Sequence, residues 1–220
     1  MTYKLFLTIC SHWVIAAALL GCATNPVTGK SELRIISKSW ELKTGKQHYL
    51  PMRQSQGGDY VADPKVQDYV SQVGNRLAAV SDRKLPYEFF VVNDGTANAW
   101  ALPGGKIAIH RGLLTELKSE AELAAVLSHE IVHAAAKHGA KNMQRGMLLQ
   151  STIALAGAAA ENSNYTEYAE QAAELGATLI STKYGRDAER ESDLFGMNYM
   201  ARAGYDPMGA VDLQQTFVNI

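Results

Sequence analysis

The chain has 220 residues, of which 47% are hydrophobic and 20% are charged, a composition that suits one globular domain with a real core. Its formal net charge is −1, so the charge balance does not favour nucleic acid or a strongly charged substrate as a partner. The two cysteines, Cys10 and Cys22, are too few for a disulfide framework or a cysteine zinc site.

Residues 1–21 predict a lipoprotein signal peptide. Lys4 supplies the positive start of such a signal, and residues 5–20 are mostly apolar. The run Leu19-Leu20-Gly21-Cys22 resembles a bacterial lipobox, in which the cysteine becomes the lipidated first residue of the mature chain. In a Gram-negative source, a lipid on Cys22 would hold the protein on the outer membrane, facing the periplasm.

Two alternatives to the lipoprotein signal remain open. One is an uncleaved membrane anchor, which is disfavoured because Ser11 and His12 interrupt the apolar run and a spanning helix needs about 20 apolar residues. The other is ordinary signal cleavage, which would leave Cys22 unmodified.

Residues 22–62 predict a tether and N-terminal segment ahead of the main domain, which is expected at 63–220. The segment has weak periodicity and several turn residues, with a short helix expected at 37–49. Asp63-Pro64 then places a capping residue before a proline at the first helical position, and apolar residues recur at helical spacing to about Val80. The domain is therefore expected to begin with a helix.

Three strands are expected next, at 87–93, 98–102 and 106–110, the last two joined by a turn at Pro103-Gly104-Gly105. One hypothesis makes the second of them an edge strand along which an extended peptide binds by strand addition. A purely structural strand is the equal alternative.

Three residues of this region are candidates for substrate binding. Asn98 and Ala99 would lie against a peptide added to the edge strand. His110, on the neighbouring strand, would approach the same cleft, although a solvent-facing histidine is the simpler interpretation.

The segment from Ser119 to Gly139 predicts a buried central helix. Ser119 followed by Glu122 forms a capping box, and the residues after it are apolar nearly all round the helix. Polar side chains inside such a helix need partners, because an unpaired polar group is costly to bury.

That helix contains His129-Glu130-Ile131-Val132-His133, the H-E-x-x-H pattern. Histidines four residues apart lie on one helix face, so both rings can converge on one Zn²⁺. Glu130 lies about 100° further round the helix, where it can reach a water beside the metal and act as the general base. The alternative is a pair of core histidines bonded to backbone carbonyls.

A catalytic zinc usually takes three protein ligands and a water, so a third ligand is needed. A metzincin would carry glycine at 136 and histidine at 139, where this chain has Ala136 and Gly139. His138 lies one place short and is expected at the surface or at a helix end. The remaining source is a carboxylate on another helix.

Glu189 and Asp193 are the best source of that carboxylate. They are four residues apart and share a helix face, whereas Glu191 lies about 200° from Glu189 on a more polar face. Glu189 is the expected third ligand, and Asp193 would accept a hydrogen bond from a ligating histidine and fix its tautomer. The alternative is an exposed, charged helix start.

Helices are also expected in the rest of the chain, at 141–160, 166–180 and 182–203, with a polar loop at 161–165. Asp206-Pro207 opens a last helix whose apolar positions continue to the end of the sequence. Natural helices usually close with a glycine cap or a polar turn. The pattern therefore predicts a fragment of a longer and more active enzyme.

These motifs together resemble the M48 family of zinc metallopeptidases, and in particular its secreted lipoprotein branch. The matching stretches are Asn25 to Gly29, Asn98 to Gly105, His129 to His133 and Glu189 to Asp193. The resemblance implies an α+β fold, in which a mostly helical zincin-like metallopeptidase domain carries a small β-sheet at the edge of the active site. It also implies one Zn²⁺ per chain and an E-x-x-x-D motif that supplies the third ligand.

The chain departs from that family in two places. Ser192 stands where alanine usually precedes the aspartate of the motif, a change that should not disturb the metal. Family members also continue with a His-Pro…Arg segment and often with tetratricopeptide repeats, and this sequence stops before either.

The expected function is a zinc-dependent endopeptidase of the bacterial cell envelope, acting in protein quality control or outer-membrane protein assembly. Its partners would be polypeptides, misfolded envelope proteins among them, and the membrane through a lipid anchor, but not nucleic acid. One alternative is a chaperone or assembly scaffold with weak or gated proteolysis. Another is a structural lipoprotein that zinc stabilises.

Overall fold

The computed structural model describes residues 22–159 and 184–219. In chain order these residues form β1 (Cys22–Thr24), β2 (Ser31–Leu33), α1 (Lys38–Ser55), α2 (Pro64–Ala79), β3 (Glu88–Val92), β4 (Ala99–Leu102), β5 (Lys106–His110), α3 (Arg111–Glu116), α4 (Glu120–Ala135), α5 (His138–Ala159), α6 (Arg186–Arg202) and α7 (Met208–Val218). The fold is α+β and mostly helical with small sheets, which confirms the sequence prediction.

The three-stranded sheet has the order β3-β5-β4. Strands β3 and β5 run parallel, and β4 pairs with β5 antiparallel. The turn between β4 and β5 uses Gly104 and Gly105 at φ of 82° and 86°, a backbone conformation that glycine adopts without strain. This order leaves β4 at an edge of the sheet, beside helix α4.

Helix α4 forms the centre of the core. Its residues Leu127, Ile131 and Val132 are fully buried, and the helix packs against α2, α6 and α7. The burial of α4 on nearly all sides agrees with its apolar sequence, and it fixes the two histidines of the motif inside a rigid element.

The start of α4 differs in one detail from the predicted capping box. Ser119 Oγ accepts a hydrogen bond from the backbone N–H of Glu122 at 3.1 Å, as expected. The Glu122 carboxylate accepts from the backbone N–H of Lys118 at 3.2 Å and from the Thr216 hydroxyl at 3.1 Å. The glutamate therefore connects the start of α4 to α7 instead of closing on Ser119.

The N-terminal residues, expected as a tether, pack against the domain. Strands β1 and β2 form an antiparallel hairpin, and Asn25 Nδ2 in its turn donates to the carbonyl of Ala136 at 3.1 Å. Glu32 of the hairpin pairs with Lys141 at 2.7 Å. The hairpin is thus attached to the end of α4 and the start of α5.

Helix α1 is longer than the helix expected at 37–49, and Pro51 lies inside it. Its Gly45 approaches the turn after β4 so closely that a Cβ there would lie 1.9 Å from the carbonyl oxygen of Pro103. Only glycine fits this contact, which holds α1 against the sheet.

Several expectations lie outside the described residues: the signal peptide at 1–21, the polar loop at 161–165, the helix at 166–180 and the residue Ile220. The helix expected from 182 begins at Arg186 in the described part. Among the described helices, none combines the length and the apolar character that crossing a bilayer requires.

Candidate active site

Helices α4 and α6 bring together His129, His133 and Glu189. One ligand atom from each residue lies within 4.8 Å of the other two. The Nε2 atoms of the two histidines are 2.9 Å apart. The Glu189 carboxylate oxygens lie 3.4 Å from Nε2 of His129 and 3.6 Å from Nε2 of His133.

The other ring nitrogen of His129 faces Asp193. Its Nδ1 lies 2.9 Å from Oδ1 of Asp193, one helical turn beyond Glu189 on α6. This contact is the one that the sequence predicted for Asp193. Because Asp193 holds Nδ1, the Nε2 atom of His129 is directed towards His133 and Glu189.

The other ring nitrogen of His133 faces His138, the first residue of α5, which agrees with the expected helix end but not with the expected exposure at the surface. His138 is buried rather than at the surface, and its Nδ1 lies 2.9 Å from Nδ1 of His133. Its Nε2 lies 3.3 Å from Oε2 of Glu191. Burial lowers the pKa of His138 to about 4, so this ring is neutral at pH 7. The contact with His133 could not be predicted from the period of α4, because the backbone turns between α4 and α5, where Lys137 has a φ of 62°.

Tyr184 completes the surroundings of His133, and the sequence interpretation missed it. Its ring stacks on the His133 ring with centroids 3.9 Å apart. Its hydroxyl donates to the carbonyl of Ala101 at 3.1 Å. Tyr184 therefore joins the edge strand β4 to the second histidine, a contact that no periodic pattern in the sequence could indicate.

Glu130 lies beside this cluster and is 8% exposed. Burial raises the pKa of its carboxyl to about 7, although His129 opposes the shift. Burial by itself lowers the pKa of His129, but Asp193 and Glu189 more than offset this and raise it to about 10. A buried carboxyl whose pKa is near neutrality is suited to accept and return a proton.

The cluster opens into a cavity of about 430 Å³. Its polar lining includes His129, Glu130, Glu189 and Asn98, and Ala99 also lines it. Apolar side chains of α4, α6 and α7 line it as well: Val126, Met197, Met200, Ala210, Leu213 and Phe217. The cavity therefore combines polar groups of the cluster with an apolar lining suited to a bulky hydrophobic group.

His110 does not line this cavity, which corrects its assignment as a substrate contact. Its side chain is buried, with Nδ1 2.9 Å from the Thr96 hydroxyl and Nε2 3.0 Å from Oε1 of Gln56. Burial lowers its pKa. His110 is buried because β5 lies between β3 and β4 and also packs against helices α1, α3 and α4.

The free edge of β4 near the cavity is short. The carbonyl of Asn98 accepts from the backbone N–H of His110 at 2.9 Å, so the backbone groups of Ala99, the next residue, face away from β5. At Ala101 the outward carbonyl is already bonded to Tyr184. A peptide added to this edge would therefore bond to Ala99, next to the histidine cluster.

The donor set fits a zinc ion. Two imidazole nitrogens and one carboxylate oxygen form one of the usual ligand sets of catalytic zinc. Each histidine has its Nδ1 engaged by an outer partner, which is the arrangement found around metal-ligating histidines. The Nε2 atoms of both histidines are then available to bind a metal, and they lie next to each other beside Glu189.

Comparison with known proteins shows the family of the chain. The sequence profile of Peptidase family M48 matches residues 64–219, a range that contains the whole cluster. The beta-barrel assembly-enhancing proteases of Yersinia pestis and Escherichia coli K12 are each 30% identical to the chain, covering 86% and 84% of it. The mitochondrial metalloendopeptidase OMA1 of Schizosaccharomyces pombe is 30% identical over 92% of the chain.

The chain spans 40% and 39% of the length of the two bacterial relatives and 61% of the length of the yeast one. The family match covers the larger part of the chain and both helices that carry the cluster. The chain is therefore a member of peptidase family M48 and carries a metallopeptidase domain.

Proposed function

We propose that this protein is a zinc-dependent endopeptidase that hydrolyses peptide bonds of unfolded polypeptides. The observation that carries the proposal is the convergence of His129, His133 and Glu189 near the buried carboxyl of Glu130, beside a cavity of about 430 Å³. The family membership supports the same reaction.

In this proposal His129, His133 and Glu189 hold the Zn²⁺. When bound, the ion supplies Lewis acidity, which polarises the peptide carbonyl and makes a neighbouring water more acidic. Glu130 accepts the proton of the attacking water and returns it to the leaving amine. Asp193 keeps His129 in the required tautomer. The backbone of Ala99 aligns the substrate as an added strand, and Asn98 lines the same cavity.

The apolar wall of the cavity suits a bulky hydrophobic side chain next to the bond that is cut. Unfolded proteins expose such side chains, whereas folded proteins bury them. The names of the bacterial relatives refer to β-barrel assembly, and we propose the same setting for this chain: quality control or outer-membrane protein assembly in the bacterial envelope.

The proposal includes a lipid anchor at Cys22, which is exposed at the start of β1. It is supported by the lipobox-like run that precedes this residue. Mass spectrometry of the N-terminal peptide of the native protein should find a lipidated Cys22 as the first residue. A Cys22 thiol without lipid, or retained residues before it, would contradict the anchor.

The peptidase activity can be tested with the purified protein and casein. We expect cleavage that stops when a chelator removes the metal and returns when Zn²⁺ is added, with cut sites that are enriched beside bulky apolar residues. Circular dichroism should show the protein still folded at the chelator concentration that stops cleavage. Unfolding at that concentration would indicate a structural zinc instead, and absence of cleavage at any zinc concentration would favour a scaffold.

The third ligand can be tested by comparing Glu189→Ala with Glu191→Ala. We expect Glu189→Ala to lose bound zinc almost completely, because one of three ligands is removed. Glu191→Ala leaves the three ligands in place, so its loss should stay within the roughly 10–100-fold that an outer partner costs in metal affinity. Metal analysis after dialysis against a zinc buffer measures both, and loss of zinc only in Glu191→Ala would contradict the assignment.

A further inference from the structure

A chain of polar contacts leads from His133 to the N-terminal hairpin. His133 Nδ1 is 2.9 Å from His138 Nδ1, and His138 Nε2 is 3.3 Å from Glu191 Oε2. The other carboxylate oxygen of Glu191, Oε1, accepts from Lys30 Nζ at 2.8 Å. The exposed fraction of the side chain rises steadily along this series of contacts, from 1% at His133 and 3% at His138 to 20% at Glu191 and 69% at Lys30.

The positions of the protons in this series of hydrogen bonds follow from valence. If Nε2 of His133 offers its lone pair to a metal, the proton of this neutral ring must be on Nδ1. That N–H then donates to Nδ1 of His138, which must be without a proton. The proton of His138 is consequently on Nε2, where it donates to Glu191. Each donor thus meets an acceptor, and the series of hydrogen bonds ends at the charged Lys30.

The two histidines of the motif are held in different ways. His129 is 22% exposed in its side chain and bonds directly to the carboxylate of Asp193. His133 is buried, and Glu191 reaches it only through the ring of His138. The buried Nδ1–H of His133 would lose its partner if His138 were absent, and an unpaired buried donor is costly.

We propose that His138 and Glu191 are positioning residues for the metal site: they orient the His133 ring and keep its proton on Nδ1. Lys30 holds the Glu191 carboxylate, so the N-terminal hairpin that carries Lys30 is a support of the metal site and not only a connection to the anchor. The inference rests on the proposed zinc peptidase function. Neither His138 nor Glu191 touches the substrate in this proposal.

Zinc affinity, measured by competition with a chromophoric chelator, tests this proposal. We expect His138→Phe to bind zinc about 10–100-fold more weakly than the unaltered protein, the range typical for loss of an outer partner. His138→Asn should recover part of the loss, because Oδ1 of asparagine takes the position of the histidine Nδ1 and accepts the same hydrogen bond. Glu191→Ala should weaken zinc binding less than His138→Phe.

A matched control is Asp187→Ala, on the first turn of the same helix. Its side chain is 98% exposed and pairs only weakly with Arg190, at 3.9 Å. Zinc affinity should not change in this variant. The control separates the loss of the specific contact to His138 from the general loss of a negative charge near the site.

Nuclear magnetic resonance of the histidine rings gives an independent readout. The zinc-loaded protein should show a His133 ring that carries its proton on Nδ1, with a signal protected from exchange. The signal should persist in His138→Asn and broaden in His138→Phe, because the N–H loses its acceptor. If His138 had only a structural role, its replacement would alter the thermal stability of the protein. The His133 signal would then be unchanged, and it would not differ between His138→Phe and His138→Asn.

Wild-type zinc affinity in both His138→Phe and Glu191→Ala would overturn the proposal. If His138→Phe does not fold, Glu191→Ala decides, because this residue is near the surface and its replacement creates no large cavity. Failure of the unaltered protein to bind zinc would overturn the proposed function and this inference with it, whereas equal zinc binding by all variants would overturn this inference alone.

Discussion

Replacing Glu130 by glutamine is expected to leave zinc binding intact and to lower the rate of peptide hydrolysis by about 10²–10⁴-fold, the usual contribution of a general acid–base group. The amide has nearly the shape of the carboxyl group but cannot accept the proton of the attacking water. The three proposed ligands, His129, His133 and Glu189, remain unchanged.

The measurement compares the metal content and the initial rate of casein cleavage of Glu130→Gln with those of the unaltered protein. Glu120→Gln is the matched control, since it makes the same substitution on the same helix, where the carboxylate bonds to the Tyr69 hydroxyl far from the cluster. The control should keep both zinc and activity. Near-full activity in Glu130→Gln would show that another residue is the base.

Replacing Arg83 by methionine is expected to lower the free energy of unfolding by about 3–5 kcal/mol, the range measured when one partner of a buried ion pair is removed. Arg83 makes two hydrogen bonds to Glu41, of 2.7 and 2.9 Å, and a third to the carbonyl of Ala134 at 3.2 Å. Both side chains of the pair are buried. The variant would leave the buried Glu41 carboxylate without its hydrogen-bonded counter-ion.

Chemical denaturation followed by circular dichroism measures this loss. The double variant Glu41→Leu/Arg83→Met should recover most of it, because no unpaired charge then remains in the core. Arg202→Met is the control at the surface: its pair with Asp82 is half exposed, so the loss should stay at or below about 1 kcal/mol. Equal losses in the two single variants would contradict the argument.

Arg83 also shows how the site depends on the surrounding fold. Ala134 and Ala136 lie at the C-terminal end of helix α4, shortly after His133, and each of their carbonyls accepts a hydrogen bond from a side chain outside the helix. Arg83 bonds to the first and Asn25 to the second. Both are distant from α4 in sequence, yet they satisfy the helix end that supports the second histidine.

Predictions from the sequence were accurate where the relevant residues share one helix. The spacing of His129 and His133 on α4, and of Glu189 and Asp193 on α6, predicted which side chains share a face, because the helical period alone determines that relation. The capping box located the Ser119 cap, the apolar residues all round the helix predicted the buried character of α4, and the hypothesis of an edge strand at 98–102 agrees with the position of β4.

Predictions from the sequence were less accurate at the ends of elements and between them. The period of α4 could not be continued to His138, because the backbone changes direction at Lys137 and a new helix begins. His110 was expected to face solvent or the cleft, but the packing of β5 between β3 and β4 and against helices α1, α3 and α4 buries it.

The sequence by itself determined which residues can form the candidate site: two histidines on one face of α4, the glutamate that follows the first of them, and two carboxylates on one face of α6. Only the tertiary structure decided what holds them. Lys30 meets Glu191 across 161 positions of the sequence, and Tyr184 reaches Ala101 across 83. Such contacts depend on how whole elements pack against each other, which the period of one helix or strand does not contain.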